Sequence, residues 1–137
     1  MTQGPTNTFP RLPHGAPFLL LDRVLAIGER EGSFLKLVTA ADPCVDAHGE
    51  LPAAFVLEAI AQAGGALLTE LEGQTPMPGY LAAVERFELC APVRVGDALR
   101  VEVRLVRHVA QASLIHGRAL VGDRLCAEGR ITLAQPR

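Results

Sequence analysis

The stretch LPAAFVLEAIAQAGGALLT, residues 51–69, decides the fold of this chain. Its apolar residues lie on every side of a helical wheel, which predicts a helix surrounded by protein rather than one on a surface. Pro52 suits the first turn of such a helix because a first-turn N–H has no intrahelical partner. Gly73 is the predicted stop after Leu71. The segment therefore predicts one long central helix.

A single carboxyl group interrupts this apolar segment. Glu58 is the only charged residue between Glu50 and Glu70. Burying an ionised carboxylate is costly, so we expect Glu58 either to have a specific partner or to be protonated, with a raised pKa. A structural ion pair with Arg86 or Arg11 is one alternative. The isolation of this carboxyl group favours a functional role instead.

Length and composition limit the remaining possibilities. The 137 residues suit one domain, and we expect a flexible N-terminus over residues 1–10 and a single folded domain over residues 11–137. The net charge is −2 and Lys36 is the only lysine, which argues against nucleic acid or an anionic membrane as a partner. No signal peptide pattern opens the chain, and polar and glycine residues interrupt the apolar run, so we expect a cytoplasmic protein with no membrane span.

The cysteines indicate neither disulfides nor a metal site. Cys44, Cys90 and Cys126 are far apart, odd in number and not in a C-x-x-C arrangement. Reduced thiols are the expected state, and no cluster of metal ligands is visible in the sequence.

Period-two patterns predict strands on both sides of the helix. Residues 99–105 alternate apolar and charged side chains, as expected for an antiparallel strand with one face on the core. Gly122 and Asp123 form a hairpin turn signal. The predicted strands cover residues 22–27, 33–39, 79–89, 99–105, 112–121 and 125–133. This outline predicts an α+β domain in which an antiparallel sheet curls around one buried helix.

Three motifs resemble the 3-hydroxyacyl-acyl-carrier-protein dehydratases of bacterial fatty acid synthesis. Residues 12–24, LPHGAPFLLLDRV, resemble the N-terminal signature of that family. Residues 51–62 are similar to its M-P-G-V-L-x-x-E-A-x-A-Q helix, and residues 92–99, PVRVGDAL, to its P-V-x-P-G-D-x-L turn. The resemblance implies a hot dog fold, a homodimer or higher oligomer, and a substrate held as a thioester on the phosphopantetheine arm of acyl carrier protein or coenzyme A. It calls for no metal or organic cofactor.

The chain departs from the family at the position of the catalytic histidine. The family has G-H-F-P fourteen residues before the helix glutamate, and Cys44 occupies that position here. His48 follows four residues later, in a loop that resembles the divergent dehydratase-like branch of aryl polyene pigment clusters, which keeps the glutamate but lacks the histidine. His14 matches a family position that is not catalytic, and a structural role is favoured for it.

Dehydration of a 3-hydroxyacyl thioester requires a group that removes the C2 proton and a group that protonates the departing C3 hydroxyl. The resemblance assigns the hydroxyl to Glu58, and His48 or a water is the candidate for the other step. No capping side chain precedes Pro52, so the N–H groups of Ala53 and Ala54 are candidates to polarise the thioester carbonyl.

Three further residues, Gln62, Tyr80 and Cys44, have both structural and functional interpretations. Gln62 lies one turn after Glu58 and either orients its carboxyl group or forms a structural hydrogen bond. Tyr80 either lines an acyl tunnel or packs in the core. Cys44 is either a core thiol or a nucleophile with Asp46 and His48. For His108 and His116 no motif supports more than surface or core placement.

Three functions follow from this sequence. The first is an active 3-hydroxyacyl thioester dehydratase of fatty acid, polyene or polyketide biosynthesis. The second is a thioesterase in which Glu58 activates water, because one scaffold hosts both reactions. The third is a partner subunit, either non-catalytic or completing a site with a second dehydratase that carries the histidine.

Overall fold

The computed structural model describes residues 9–13, 18–72 and 79–135. Seven elements follow one another along these residues: β1 (Arg23–Ile27), β2 (Glu31–Leu37), α1 (Ala53–Glu72), β3 (Tyr80–Leu89), β4 (Ala98–Val109), β5 (Ala112–Val121) and β6 (Arg124–Ala134). His14 and the predicted stop at Gly73 lie outside the described residues.

The six strands form one sheet in the order β1-β2-β4-β5-β6-β3, and every neighbouring pair is antiparallel. Helix α1 packs against β2, β3, β4, β5 and β6, so the sheet curves around it. The largest fully buried side chains include Phe34, Ile60, Leu67, Ile115 and Ile131, which come from both the helix and the sheet. The predicted α+β architecture, an antiparallel sheet wrapped around one long helix, is confirmed.

Two glycines set the distance between helix and sheet. Gly117 of β5 faces Ile60, whose side chain occupies the space that a Cβ atom would need. Gly64 of α1 faces Leu133 of β6, and a Cβ atom there would lie 2.9 Å from Leu133 Cδ1. Because a side chain packs directly on the backbone at both positions, these contacts fix the distance of α1 from the sheet and its position along β5 and β6.

The predicted strands are all present, with one substantial difference in length. Strand β4 continues past the predicted end at Leu105 to Val109. A bulge between Leu105 and Arg107 interrupts its pairing with β5, so the apolar alternation shifts by one residue there. The period-two pattern that predicted the strand ends at the bulge, although the strand itself does not.

Protein surrounds most of α1, as predicted, but the first turn of the helix is open in the single protomer. Ala54 is exposed and Phe55 retains 37% of its exposure, although the residues after them along the helix are buried or half-buried. The edge strand β3 is also exposed along nearly its whole length. The polar and glycine residues that interrupt the apolar run do not interrupt the helix, which is continuous through Gln62, Gly64 and Gly65. Residues Ala53–Leu71 have the length and mean hydropathy, 1.3, of a membrane span, although 61% of that segment is buried inside the fold.

Candidate functional site

Glu58 lies on the partly open side of α1, one turn before Gln62. The side-chain amide of Gln62 donates to Phe18 O at 2.7 Å and, over a longer 3.5 Å, to Glu58 Oε2. Gln62 Oε1 also accepts from the N–H of Leu20 at 2.9 Å, and the residue is 2% exposed. Gln62 therefore has both interpretations at once: it attaches the N-terminal segment to the helix, and its amide reaches the carboxyl group.

No arginine binds Glu58 within the described part of the protomer. Arg11 instead binds Glu70, with a distance of 2.9 Å between Nε and Oε1. Arg86 is paired with Arg130 of β6. This pair lies on the opposite face of the sheet from the pairs that Val84 and Phe87 form with β6. The alternative in which Glu58 forms a structural ion pair thus finds no support in the single protomer, and the Glu58 carboxylate keeps the rest of its hydrogen-bonding capacity.

A cavity of about 310 Å³ runs along the helix from Glu58. Its helical wall repeats at intervals of three and four residues, which is one face of a helix. That wall consists of Glu58, Ala61, Gln62, Gly65, Leu68 and Thr69. The opposite wall comes from the N-terminal segment and from the ends of three strands: Leu12, Pro13, Gly79, Tyr80, Leu81, Gln111, Ser113, Leu133, Ala134 and Gln135.

Tyr80 is part of this wall, although 60% of the residue is exposed. It opens β3, the edge strand of the sheet, so its ring stands at the rim of the cavity rather than in the core. Of its two interpretations, the geometry supports a place along the cavity.

A second cavity, of about 410 Å³, lies at the N-terminus of α1 and is lined in part by Asp46, Pro52 and Ala53. The carbonyl of Pro52 accepts from Phe55 and Val56 inside the helix. In the residues that the structure describes, no side chain accepts a hydrogen bond from the N–H of Ala53 or Ala54. These two groups remain candidates to polarise a carbonyl.

Cys44 lies beside a buried ion pair of Asp42 with Lys36. Its N–H donates to Asp42 Oδ1 at 3.0 Å, and Asp42 Oδ2 binds the ammonium of Lys36 at 2.7 Å. Burial, together with the nearby Asp42 charge, raises the pKa of the Cys44 thiol above its ordinary value. Because the thiolate is the nucleophilic form, the structure argues against the nucleophile alternative.

The Lys36 and Asp42 side chains are almost fully buried, at 5% and 11% exposure. Burial by itself would raise the pKa of Asp42, but the hydrogen bond and charge of Lys36 and the N–H of Cys44 lower it below the ordinary value. Lys36 thus attaches the loop that carries Cys44 to strand β2.

His48 is exposed, and its backbone N–H donates to Asp46 Oδ1 at 2.8 Å. Asp46 also accepts from the N–H of Glu50, and these two backbone hydrogen bonds lower the pKa of Asp46. The described walls of the Glu58 cavity include no residue of this loop. The structure therefore does not bring His48 and Glu58 together within one protomer, and a proton-transfer role for His48 stays a prediction.

Ser113, a buried polar residue that lines the Glu58 cavity, was not predicted from the sequence. Ser113 is 2% exposed and lines the cavity, and its hydroxyl lies 2.6 Å from Nδ1 of His108. The two residues are paired in register across the β4–β5 hairpin, where Ala110 has a φ of 56°. The sequence could have indicated this contact only because His108 and Ser113 lie at equal distances from the two-residue turn between β4 and β5. The bulge in β4 breaks the alternation that would have placed the two side chains on one face.

His116 lies elsewhere. Its Nε2 atom is 3.1 Å from Glu128 Oε2, in a cavity of about 520 Å³ whose lining also includes the ion pair of Arg118 with Glu102. The strand alternation places this cavity on the outer face of the sheet, away from Glu58.

The chain is similar to dehydratases over nearly its whole length. Residues 8–137 match the family model ApeP-like, described as ApeP dehydratase. The 3-hydroxyacyl-[acyl-carrier-protein] dehydratase FabZ of Koribacter versatilis is 36% identical over 127 residues, which cover 88% of this chain and 81% of the relative. That of Oleidesulfovibrio alaskensis is 37% identical over 131 residues, which cover 90% of this chain and 84% of the relative.

Solved structures confirm the expected hot dog fold. The dehydratase heterocomplex ApeI:P from Xenorhabdus doucetiae matches with a TM-score of 0.84 at 20% identity, over 93% of this chain and 90% of the other. A hypothetical thioesterase from Streptococcus pneumoniae, solved with coenzyme A, matches with a TM-score of 0.70 at 10% identity, over 83% of this chain and 84% of the other. At these identities the likeness concerns the fold alone.

Proposed function

Because the chain belongs to the ApeP-like dehydratase family, we propose that it eliminates water from 3-hydroxyacyl thioesters carried on the phosphopantetheine arm of an acyl carrier protein or of coenzyme A. The observation that carries this proposal is Glu58, a carboxyl group in a largely apolar groove that makes no ion pair among the described residues. Such a group is available to a substrate, whereas a carboxylate engaged in a salt bridge is not.

The order of groups along α1 gives the substrate its direction. The free N–H groups of Ala53 and Ala54 at the helix start would polarise the thioester carbonyl. Glu58, one turn further along the helix, would then face the C3 hydroxyl. The acyl chain would continue along the groove beside Ala61 and Gly65.

Glu58 performs the protonation in this mechanism. The C2–H bond breaks and its electron pair forms the C2–C3 double bond, while the C3–O bond breaks and the oxygen takes a proton from Glu58 and leaves as water. Gln62 holds the carboxyl group towards the groove. The elimination needs an acid, a base and an oxyanion site, so we expect it to require no metal or organic cofactor.

We infer that a second protomer supplies the base for the C2 proton. Among the described residues of one protomer, no histidine lines the Glu58 groove, and His108 reaches it only through its contact with Ser113. The exposed strand β3 and Phe55 leave that side of the helix open. The partner is either a second copy of this chain, contributing His48, or a second dehydratase that carries a histidine. The ApeI:P assembly in a relative of the same fold supports the second arrangement.

The test measures dehydration of a 3-hydroxyacyl thioester by the purified chain alone and in a mixture with a histidine-bearing dehydratase from the same genome. We expect Glu58→Gln to lower turnover in whichever arrangement is active, while Glu29→Gln, an exposed residue in the β1–β2 turn, leaves it unchanged. Equal turnover by wild type and Glu58→Gln in both arrangements would contradict the proposal. Release of a free thiol without an enoyl product would indicate the thioesterase alternative.

The pathway is a separate part of the proposal. The loop with Cys44 in place of the family histidine supports an aryl polyene or related polyene pathway in the cytoplasm rather than housekeeping fatty acid synthesis. Neighbouring genes for a ketosynthase, a ketoreductase, a carrier protein and a second dehydratase would agree with it.

A further inference from the structure

The groove that begins at Glu58 changes character along its length. The residues from Glu58 to Thr69 rise about 16 Å along the helix axis, at about 1.5 Å per residue. Apolar or small side chains line much of its length: Ala61, Gly65, Leu68 and, opposite Ser113 in register, Leu133. Polar side chains line its far part: Thr69, Gln111, Ser113 and Gln135. A groove for a wholly aliphatic chain has no physical need of such an end.

Ser113 is the most deeply buried member of the polar end. It precedes Ile115 and Gly117 on the helix-facing side of β5, and it is 2% exposed. A buried hydroxyl costs free energy unless it is hydrogen-bonded, and the contact with His108 Nδ1 at 2.6 Å meets that requirement. The same contact uses only one of the three hydrogen-bonding positions of a hydroxyl. Ser113 is also one of the residues that line the cavity, where a ligand could use the remaining positions.

His108 holds this hydroxyl from the rim. The residue is exposed, so either ring nitrogen can carry the proton at little cost. When Nδ1 accepts from Ser113, the serine oxygen can accept a hydrogen bond from a ligand; when Nδ1 donates, the serine O–H can donate one. The hairpin turn at Ala110, with its φ of 56°, fixes the two side chains opposite each other.

We propose that Ser113, held in place by His108, is a specificity-determining residue at the distal end of the acyl groove. It selects acyl groups that present a hydrogen-bonding atom at that end over chains that are aliphatic throughout. The inference rests on the proposed function for the direction of the substrate along α1. An aliphatic terminus would leave the remaining positions of the Ser113 hydroxyl unpaired when it displaces water, whereas a polar terminus restores a hydrogen bond.

The experiment compares two 3-hydroxyacyl thioesters of equal chain length on the same carrier, one ending in a methyl group and one in a hydroxyl group. The active assembly established for the proposed function is used throughout. We expect wild type to favour the hydroxyl-terminated substrate by about tenfold or more in kcat/KM, mainly through KM, and Ser113→Ala to abolish that preference. Ser33→Ala, a serine on the outer face of the sheet, is the matched control and should keep it.

His108 acts through Ser113, so its variants test the positioning role. We expect His108→Ala to reduce the preference and His108→Asn, whose side-chain amide can replace the Nδ1 hydrogen bond, to restore it in part. A preference that survives in Ser113→Ala, or a wild type that does not distinguish the two substrates, would overturn the inference.

A binding measurement separates this inference from the proposed function. Non-reactive thioether analogues of the two substrates are titrated into the same assembly by calorimetry. If neither substrate is dehydrated but the hydroxyl-terminated analogue binds more tightly in wild type and not in Ser113→Ala, the proposed reaction fails while the groove and its polar end stand. Equal affinities of wild type for both analogues would overturn the inference whatever the result for dehydration.

Discussion

Glu58 of helix α1 and the carboxylates of the loop that precedes the helix are held in opposite ways. In the loop, Asp42 is engaged by Lys36 and Cys44, and Asp46 accepts two backbone hydrogen bonds. On the helix, Glu58 has one long contact with Gln62 and otherwise faces a cavity. The loop carboxylates therefore stabilise the conformation of the loop, whereas the Glu58 carboxylate is available to a ligand.

The same comparison explains what the loss of the family histidine has done. In its place stands Cys44, whose thiol pKa is raised by burial and by the nearby Asp42 charge, beside a buried ion pair. In the proposed mechanism the loop is structural, and the chemistry of this protomer is assigned to Glu58. Variants at the two places should therefore fail in different measurements.

The largest expected effect is on turnover in Glu58→Gln. Loss of a positioned general acid lowers the rate by about 10²-fold to 10⁴-fold. The substitution keeps size and the hydrogen bond to Gln62, so we expect the free energy of unfolding to change by less than about 0.5 kcal/mol. Steady-state kinetics and chemical denaturation of the same preparation test both statements. A variant that loses stability in proportion to activity would make Glu58 structural and remove the contrast with the loop.

The second effect concerns stability in Asp42→Asn. This change leaves the buried ammonium of Lys36 without its counter-ion, which costs about 3–5 kcal/mol. Because the folded pKa of Asp42 is lowered, its contribution is present above the unfolded pKa of about 3.9 and is lost as pH falls through the folded value.

Denaturation curves at several pH values check the sign of this effect. The stability difference between wild type and Asp42→Asn should be full near neutral pH and should shrink below about pH 4. As a control, Lys36→Met combined with Asp42→Leu removes both charges and should be less destabilising than Asp42→Asn alone. A difference that grows at acidic pH would contradict the assignment.

These two effects also show what could be predicted from sequence. The start of α1 and the alternation in residues 99–105 follow from local chemistry, and Glu58 stands out because its neighbours are apolar. The ion pair of Lys36 could not be predicted, since the alternation in β2 does not indicate which polar side chain turns inward to meet a loop.

The contact between Ser113 and His108 could not be predicted for another reason. Their contact depends on the bulge after Leu105 and on the strained turn at Ala110, and both are properties of the strand register rather than of either residue. The exposure of Ala54 and Phe55 in the first turn of α1 was also not predicted, because apolar residues all round a helix do not distinguish burial within a protomer from burial between protomers.

A smaller effect is expected for Cys44→Ala. The partly buried thiol contacts the core, so its removal should cost about 1 kcal/mol of unfolding free energy. Turnover should change by less than about threefold, because a protonated thiol with a raised pKa takes no part in the proposed reaction. Alkylation at neutral pH gives an independent measurement, in which Cys44 should react more slowly than the exposed Cys90. A large loss of turnover without a loss of stability would indicate that Cys44 takes part in the reaction.

The smallest effect is expected for His48→Ala in the mixture with a histidine-bearing dehydratase. If that partner supplies the base, an exposed loop imidazole whose backbone alone is held by Asp46 has no step to perform, and turnover should change by less than about twofold. The matched measurement uses the chain alone, where any turnover that depends on a second copy should fall in His48→Ala. A loss in the mixture as large as that of Glu58→Gln would place His48 in the proton transfer and end the division between a structural loop and a chemical helix.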